Sequence, residues 1–243
     1  MTTAPDWRWR LKALLGPRLM VIGRCLTRGL PLPRWGNLRR VEPFSTTFGF
    51  DRGTPVDRYY LHRFLEGNRI CITGRVLEVQ VPSYTERFGA DVRESHTVDI
   101  NPGIRTTYTC DLAKAAQIPS DHYDCFLAPN TLQHVAELEP ALRTMLRVVK
   151  PGGTILASAA GLLPLISDGA DYWHLSADGW RRVLDVEWPG CDVTVEAHGN
   201  CLTAVAAMYG LAQEELDGHE LEAHDPRYPV LITIRGRKPA IAP

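Results

Sequence analysis

The sequence lacks any apolar run of the ~20 residues that a helix needs to cross a bilayer. The stretch Leu19-Met-Val-Ile-Gly23 is too short for the core of a secretion signal and runs straight into Arg24. No secretion signal is expected, and the expected compartment is the cytoplasm. The six cysteines (Cys25, Cys71, Cys110, Cys125, Cys191 and Cys201) form no C-x-x-C pair, and several sit inside apolar runs, as core thiols in a reducing compartment do. A Walker loop and a Ser-His-Asp signature are missing. His219-Glu-Leu-Glu-Ala-His224 narrowly fails as H-E-x-x-H. Its imidazoles stand five residues apart and would be turned by ~140° on a helix, so a solvated acidic loop is expected and no metal.

What remains is ordinary in bulk and uneven in detail. The 243 residues are 44% apolar and 23% charged, with a net charge of −1. Residues 1–40 carry nine Lys/Arg against Asp6 alone, so a basic arm precedes an acidic body. The arm has no DNA-reading motif, and no nucleic-acid partner is expected. Residues 7–30 mix Trp, Leu, Met and Ile with Arg at loosely helical spacing, broken at Gly16-Pro17. They read either as a helix pair lying on the main domain or as an interfacial segment for anionic lipid or an acidic partner protein. Residues 31–53, rich in Pro, Gly and Arg, read as linker. The expected domains are therefore a basic extension and linker over 1–53 and a catalytic-type domain over 54–238.

The domain begins with a helix: Thr54 can cap, Pro55 suits the first position, Asp57 sits where a capping-box acid goes, and Gly67 ends it. Val56, Tyr60 and Phe64 give it an apolar stripe. Short β runs follow at Arg75–Val79, Thr97–Ile100, Thr107–Cys110, Tyr123–Ala128, Thr154–Ala157, Asp192–Glu196 and Val230–Arg235. Helical runs at Ser83–Phe88, Ala136–Val149, Ser176–Trp188 and Leu202–Leu216 fall between most of them. The alternation predicts an α/β fold: a doubly wound, Rossmann-like, seven-stranded and mostly parallel sheet with helices on both faces, plus an N-terminal helical extension. In such a sheet ligands bind outside the strand carboxyl ends.

Those ends carry an ordered set of motifs. Glu78 closes the first strand, and Asp99 closes the second 21 residues later. Asp111-Leu112, Ile118-Pro119 and Tyr123-Asp124 follow, then Leu132-Gln133-His134-Val135, then Lys150-Pro151-Gly152-Gly153. An acid placed like Asp99 can accept hydrogen bonds from both hydroxyls of a ribose. As a set, these residues resemble the class I S-adenosylmethionine-dependent methyltransferases, closely over about 68–160 and more loosely over 176–238. Asp51–Tyr60 and Asp171–Ser176 look like a bacterial methyltransferase-like group often associated with sugar or secondary-metabolite pathways.

The resemblance implies S-adenosyl-L-methionine as cofactor. By position, Asp99 would bind the ribose, Asp111 and Leu112 would flank the adenine, and Asn130 and Thr131 would line the methionine end. Arg58 and Tyr59 would lie over the cofactor, with Arg58 meeting its carboxylate. Glu78 and Gln80 belong to the loop beneath it. The family's glycine-rich turn after strand one is absent, because Gln80, Pro82 and Tyr84 hold the three glycine positions. Those glycines normally permit a tight turn and close approach of the cofactor.

For catalysis His134 is the first candidate base and His174 the second. Tyr172, Trp173 and His198 are candidates for the acceptor pocket, with Asn200 near the same rim. The function expected is biosynthetic methyl transfer to a small-molecule or sugar-like acceptor, with O-methylation favoured. The alternative is a methyltransferase-fold protein without methyl transfer, serving as a binding subunit or catalysing a non-methylating reaction. The oligomeric state is left open.

Overall fold

A computed structural model describes residues 17–166 and 169–240. The first half of the expected helix pair, up to Gly16, lies outside the described residues. The chain divides into two compact units that meet between Glu42 and Pro43. Within the smaller unit, helix α1 spans Pro17–Thr27 and a short 3-10 turn spans Gly36–Arg39.

The larger unit opens on packed turns rather than on a linker. Ser45 is buried, and its Oγ accepts from the amides of Thr47 and Gly49 and donates to Asp51. The backbone amide of Phe44 donates to Tyr209 O at 2.8 Å. Gly49 lies at φ +95°, where a Cβ would stand 2.8 Å from Leu211 O, so only glycine fits between these two backbones. The chain from Pro43 to Gly53 thus belongs to the domain, and Pro/Gly content alone misassigned it.

Helix α2 (Val56–Gly67) follows. The expected Thr54 cap is not made: the helix starts after Pro55 with no side-chain cap, and Thr54 gives its amide to Glu214 Oε2 at 2.9 Å. The order is then β1 (Thr73–Val79), α3 (Ser83–Phe88), β2 (Asp91–Asp99), β3 (Tyr108–Thr109) and β4 (Tyr123–Ala128). It continues with α4 (Leu138–Val148), β5 (Val149–Ala160), α5 (Ala177–Glu187), β6 (Asp192–His198), α6 (Cys201–Met208), α7 (Gly218–Glu222) and β7 (Leu231–Arg237). The helical run expected over 202–216 ends at Met208. Gly210, at φ +67°, turns the chain, and a single 3-10 turn occupies Gln213–Glu215. The acidic loop contains α7, at whose start Asp217 N–H donates to Glu220 Oε2 at 2.8 Å.

The seven strands lie in the order β3-β2-β1-β4-β5-β7-β6. All pairs are parallel except those of β7, which runs antiparallel between β5 and β6. Period-two alternation sends Leu77, Phe126, Ile155 and Ala157 to one face, where they meet Leu142 and Met145 of α4 and Trp180 and Leu184 of α5. Val76, Cys125, Leu127 and Leu156 go to the other, against Leu61 and Leu65 of α2 and the alanines of α6. Both faces are covered, as parallel strands require. Phe64 of the expected stripe is only partly buried, while Leu61 and Leu65 are fully so.

The 43–53 segment is tied down by Arg52, whose Nε donates to Glu215 Oε2 at 2.9 Å and whose second nitrogen pairs with Oε1. The Arg52 guanidinium holds the Glu215 carboxyl down to about 2, from an ordinary 4.5. Because the folded value is the lower one, this contribution is complete above the ordinary value and fades as pH falls toward 2. Both side chains are about a third exposed, so the effect is local. Glu215→Gln at neutral pH is expected to speed proteolytic cleavage within 43–53 by roughly two- to fivefold, as acidification does to the parent. Unchanged cleavage would show that the backbone contacts hold the segment alone.

Candidate active site

A crevice of about 850 Å³ opens along the carboxyl ends of β1, β2, β4 and β5, within the range of small-molecule sites. Its floor is the turn after β1. Gln80 takes φ +71°, the left-handed conformation that the absent glycine would normally supply. Holding a non-glycine residue there costs on the order of 1–2 kcal/mol. The turn is closed by Gln80 N–H donating to Val98 O at 2.9 Å, and Glu86 N–H donating to Pro82 O at 2.9 Å. Pro82 does not line the crevice; Gln80, Val81, Ser83 and Tyr84 do.

Glu78 determines the shape of this turn. Its side chain is fully buried, and its carboxylate accepts from the amides of Tyr84 (3.0 Å) and Thr85 (2.7 Å) in the first turn of α3. Burial raises its pKa, and the two backbone donors oppose that rise. A helix start that would otherwise attract an anion is therefore already taken by the protein's own carboxylate. Glu78 lines the base of the crevice, but both of its carboxylate oxygens are engaged by the amides of the turn.

Asp99, expected from its spacing, and Asp111, expected from the resemblance, stand at the rim on the β2–β3 side. Asp99 is 7% exposed, and its Oδ1 accepts from Asn101 N–H at 2.6 Å. Asp111 caps the following 3-10 turn through Oδ1 to Ala113 N–H at 2.9 Å, with Leu112 buried beside it. Each carboxylate keeps Oδ2 without a partner among the described residues, a free acceptor at the mouth of the crevice.

Opposite them, Asp57 ties α2, which roofs the crevice, to the loop that follows β4. Its Oδ2 accepts from Arg58 (2.6 Å) and from Asn130 Nδ2 (2.7 Å). Asn130, at φ +47°, also engages Ser158 Oγ through its amide (2.8 Å) and its Oδ1 (2.9 Å). Asp57 was expected as a capping-box acid; it instead clasps strand ends β4 and β5 from α2. Arg58 and Thr131 line the crevice, with the Arg58 guanidinium 5.9 Å from the ring centre of Phe50. Tyr59 does not line it: its hydroxyl accepts from Arg63 at 2.7 Å.

On the β5 side the walls are apolar and aromatic: Phe48, Phe50, Leu163, Pro164, Ile166 and Tyr172. His134 stands among them. Gln133 receives Ala160 N–H on Oε1 (3.3 Å), so its amide nitrogen is the donor to Asn130 O (3.0 Å) and to His134 Nε2 (3.1 Å). This network assigns the His134 proton to Nδ1, which faces Asp171 Oδ1 and Ala170 O, each at 3.1 Å. The Asp171 side chain is 5% exposed and takes Ile166 N–H on its other oxygen at 2.8 Å. Sequence reasoning noted Asp171 only as the start of the Asp171–Ser176 stretch and assigned it no role.

Four of the expected residues stand elsewhere. His174 gives Nδ1–H to Gly161 O at 3.0 Å and lies behind Asp171, 3.7 Å away, outside the crevice lining. Trp173 packs on the core and donates Nε1–H to Val135 O at 2.7 Å. His198 bonds Thr233 Oγ1 at 2.7 Å and stacks on Tyr60; burial lowers its pKa. Asn200 is spent capping α6. Phe48 and Phe50, read as linker, are crevice residues that sequence reasoning missed.

Comparison with known proteins places this geometry. Residues 76–157 match the family model of the methyltransferase domain. The ubiquinone/menaquinone biosynthesis C-methyltransferase UbiE of Pseudomonas savastanoi pv. phaseolicola is 30% identical over 89 residues, 37% of this chain and 33% of that protein. Its counterpart from Yersinia enterocolitica is 46% identical over 44 residues, 18% of each chain. The match thus spans about a third or less of the length of these curated relatives. Among solved structures, an S-adenosylmethionine-dependent methyltransferase from Mesorhizobium loti aligns with a TM-score of 0.52 at 16% identity, over 78% of this chain and all of that one. The [4+2]-cyclase SpnF aligns at 0.50 and 18% identity, over 75% and 81%. The segment 76–157 is thus similar to a methyltransferase domain, and the fold is the one that the Mesorhizobium loti methyltransferase and SpnF share.

Glu78→Ala is expected to leave two buried amides without an acceptor and to lower unfolding free energy by about 2–4 kcal/mol. Urea denaturation measures it. A loss under about 0.5 kcal/mol would mean that the turn holds its shape without the clasp.

Proposed function

We propose that the crevice binds S-adenosylmethionine and that the chain transfers its methyl group to a small acceptor seated against the apolar wall. The observation that carries this reading is the pair of free Oδ2 acceptors on Asp99 and Asp111, at the rim of a crevice the non-glycine turn leaves open. Asp99 would take the ribose hydroxyls, and Asp111 with Leu112 the adenine. Arg58 is the cation available for the carboxylate of the cofactor, since Glu78 already fills the start of α3. Asn130 and Thr131 border the methionine end. When bound, the cofactor supplies an electrophilic methyl on a sulfonium; methyl transfer leaves S-adenosylhomocysteine and releases one proton from the acceptor.

Orientation then does most of the work. His134 is the group placed to take the proton, through Nε2, once the acceptor displaces the Gln133 amide there. Asp171 holds the imidazole in the required tautomer. The walls of Phe48, Phe50, Leu163 and Tyr172 favour a ring-bearing acceptor. The names of the curated relatives favour carbon as the methylated atom, whereas a sugar-like hydroxyl would give the O-methylated product. A second reading keeps the fold without methyl transfer. The Gln80 turn and the engaged Nε2 of His134 favour it, and a cyclase with a similar fold shows that this architecture also carries other chemistry.

Calorimetric titration tests the reading. Saturable binding of S-adenosylmethionine and S-adenosylhomocysteine is expected, weakened roughly tenfold or more by Asp99→Ala through loss of charge-assisted hydrogen bonds. No binding at millimolar ligand would end the methyltransferase reading. With a hydroxylated ring acceptor, Asp171→Asn is expected to lower kcat by about tenfold or more while leaving cofactor affinity unchanged. An equal loss of affinity would place Asp171 in the cofactor site instead.

A further inference from the structure

The smaller unit presents apolar side chains to water in a pattern that the catalytic reading does not use. In α1, Leu19, Ile22 and Leu26 recur at spacings of three and four and share one side of the helix, while Arg24 and Thr27 occupy the other. All three leucine and isoleucine side chains are exposed, Leu26 at 68%. The exposed set continues beyond the helix through Leu30, Leu32, Trp35, Leu38 and Val41. Residues 17–41 contain Arg18, Arg24, Arg28, Arg34, Arg39 and Arg40 and no Asp or Glu. The Arg39 guanidinium lies 5.2 Å from the ring centre of Trp35. An exposed apolar stripe of this extent calls for a cover.

We infer that residues 17–41 are a peripheral docking surface for an anionic lipid bilayer. The charge decides between covers. An apolar stripe flanked by arginines throughout, with no acid among them, suits a surface that is apolar below and negative at its headgroups. Arginine stems reach to headgroups while the apolar side chains enter the acyl boundary, and an indole such as Trp35 suits the level between them. No helix among the described residues is long and apolar enough to cross a membrane, so the contact is one of lying on the surface. The docking claim stands apart from the methyltransferase reading, and its assay uses no cofactor.

The full chain is mixed with sedimentable vesicles of phosphatidylcholine alone, or of phosphatidylcholine with about 30% phosphatidylglycerol, at low and high salt. The chain is expected to sediment with the anionic vesicles about tenfold more strongly than with the neutral ones, and to be released by high salt. Ile22→Glu with Leu26→Glu is expected to lower that binding about tenfold, with the thermal transition of the larger unit unchanged. Arg24→Gln with Arg28→Gln is expected to remove the preference for anionic vesicles. Absence of sedimentation with anionic vesicles, or equal sedimentation with both kinds, would overturn the inference. So would unchanged binding by the glutamate variant, since the stripe would then not be the contact.

Discussion

The Glu78 carboxylate is the constraint on which the site depends. It ends a strand buried on both faces and spends both oxygens on the first amides of α3. A family member with glycines can shape this turn through backbone freedom. Here the shape comes from a buried acceptor that fixes two donors and from Gln80 held in the left-handed region. The cost of that conformation, on the order of 1–2 kcal/mol, is comparable with what the two hydrogen bonds supply. Strain at the floor and clasp beneath it therefore come as a pair.

The clasp also sets what the rest of the site has to provide. With the α3 start occupied, no helix terminus is left there for an anionic ligand end, and Arg58 is the cation nearby. Arg58 is held by Asp57, Asp57 by Asn130, and Asn130 by Ser158. One chain of contacts thus ties the α2 roof to the ends of β4 and β5. The acids at the other rim keep a free oxygen each because their remaining oxygens bond local backbone. The site is a rigid floor and a stapled roof between an acidic end and an aromatic end.

The fold was legible because hydrophobic period and turn residues agree along the chain. All seven strands were placed from runs such as Tyr123–Ala128, and α3 was placed to the residue. The reversed direction of β7 was not legible, since a strand's period is the same in either direction. Asp99 could be read from spacing, because strand length and the crossover fix where a carboxylate emerges, whereas Asp111 came only from the resemblance. Glu78 was visible as a motif residue, but its use was not. Whether a carboxylate faces a ligand or its own backbone depends on a turn whose φ values the letters Gln-Val-Pro do not announce. Phe48 and Phe50 were hidden for a similar reason: Pro and Gly around them mark irregular backbone, and irregular backbone can be packed as tightly as a helix. Asp171 becomes notable only when Gln133 fixes the tautomer of the histidine it faces.

The most direct test of the account is a crystal structure of the chain soaked with S-adenosylhomocysteine. The account predicts the ribose hydroxyls within hydrogen-bond distance of Asp99, the adenine beside Asp111 and Leu112, and the amino-acid end over Gln80–Tyr84 with Arg58 on its carboxylate. The Glu78 clasp should be unchanged. A ligand bound elsewhere, or a turn that must release Glu78 before the ligand enters, would contradict it.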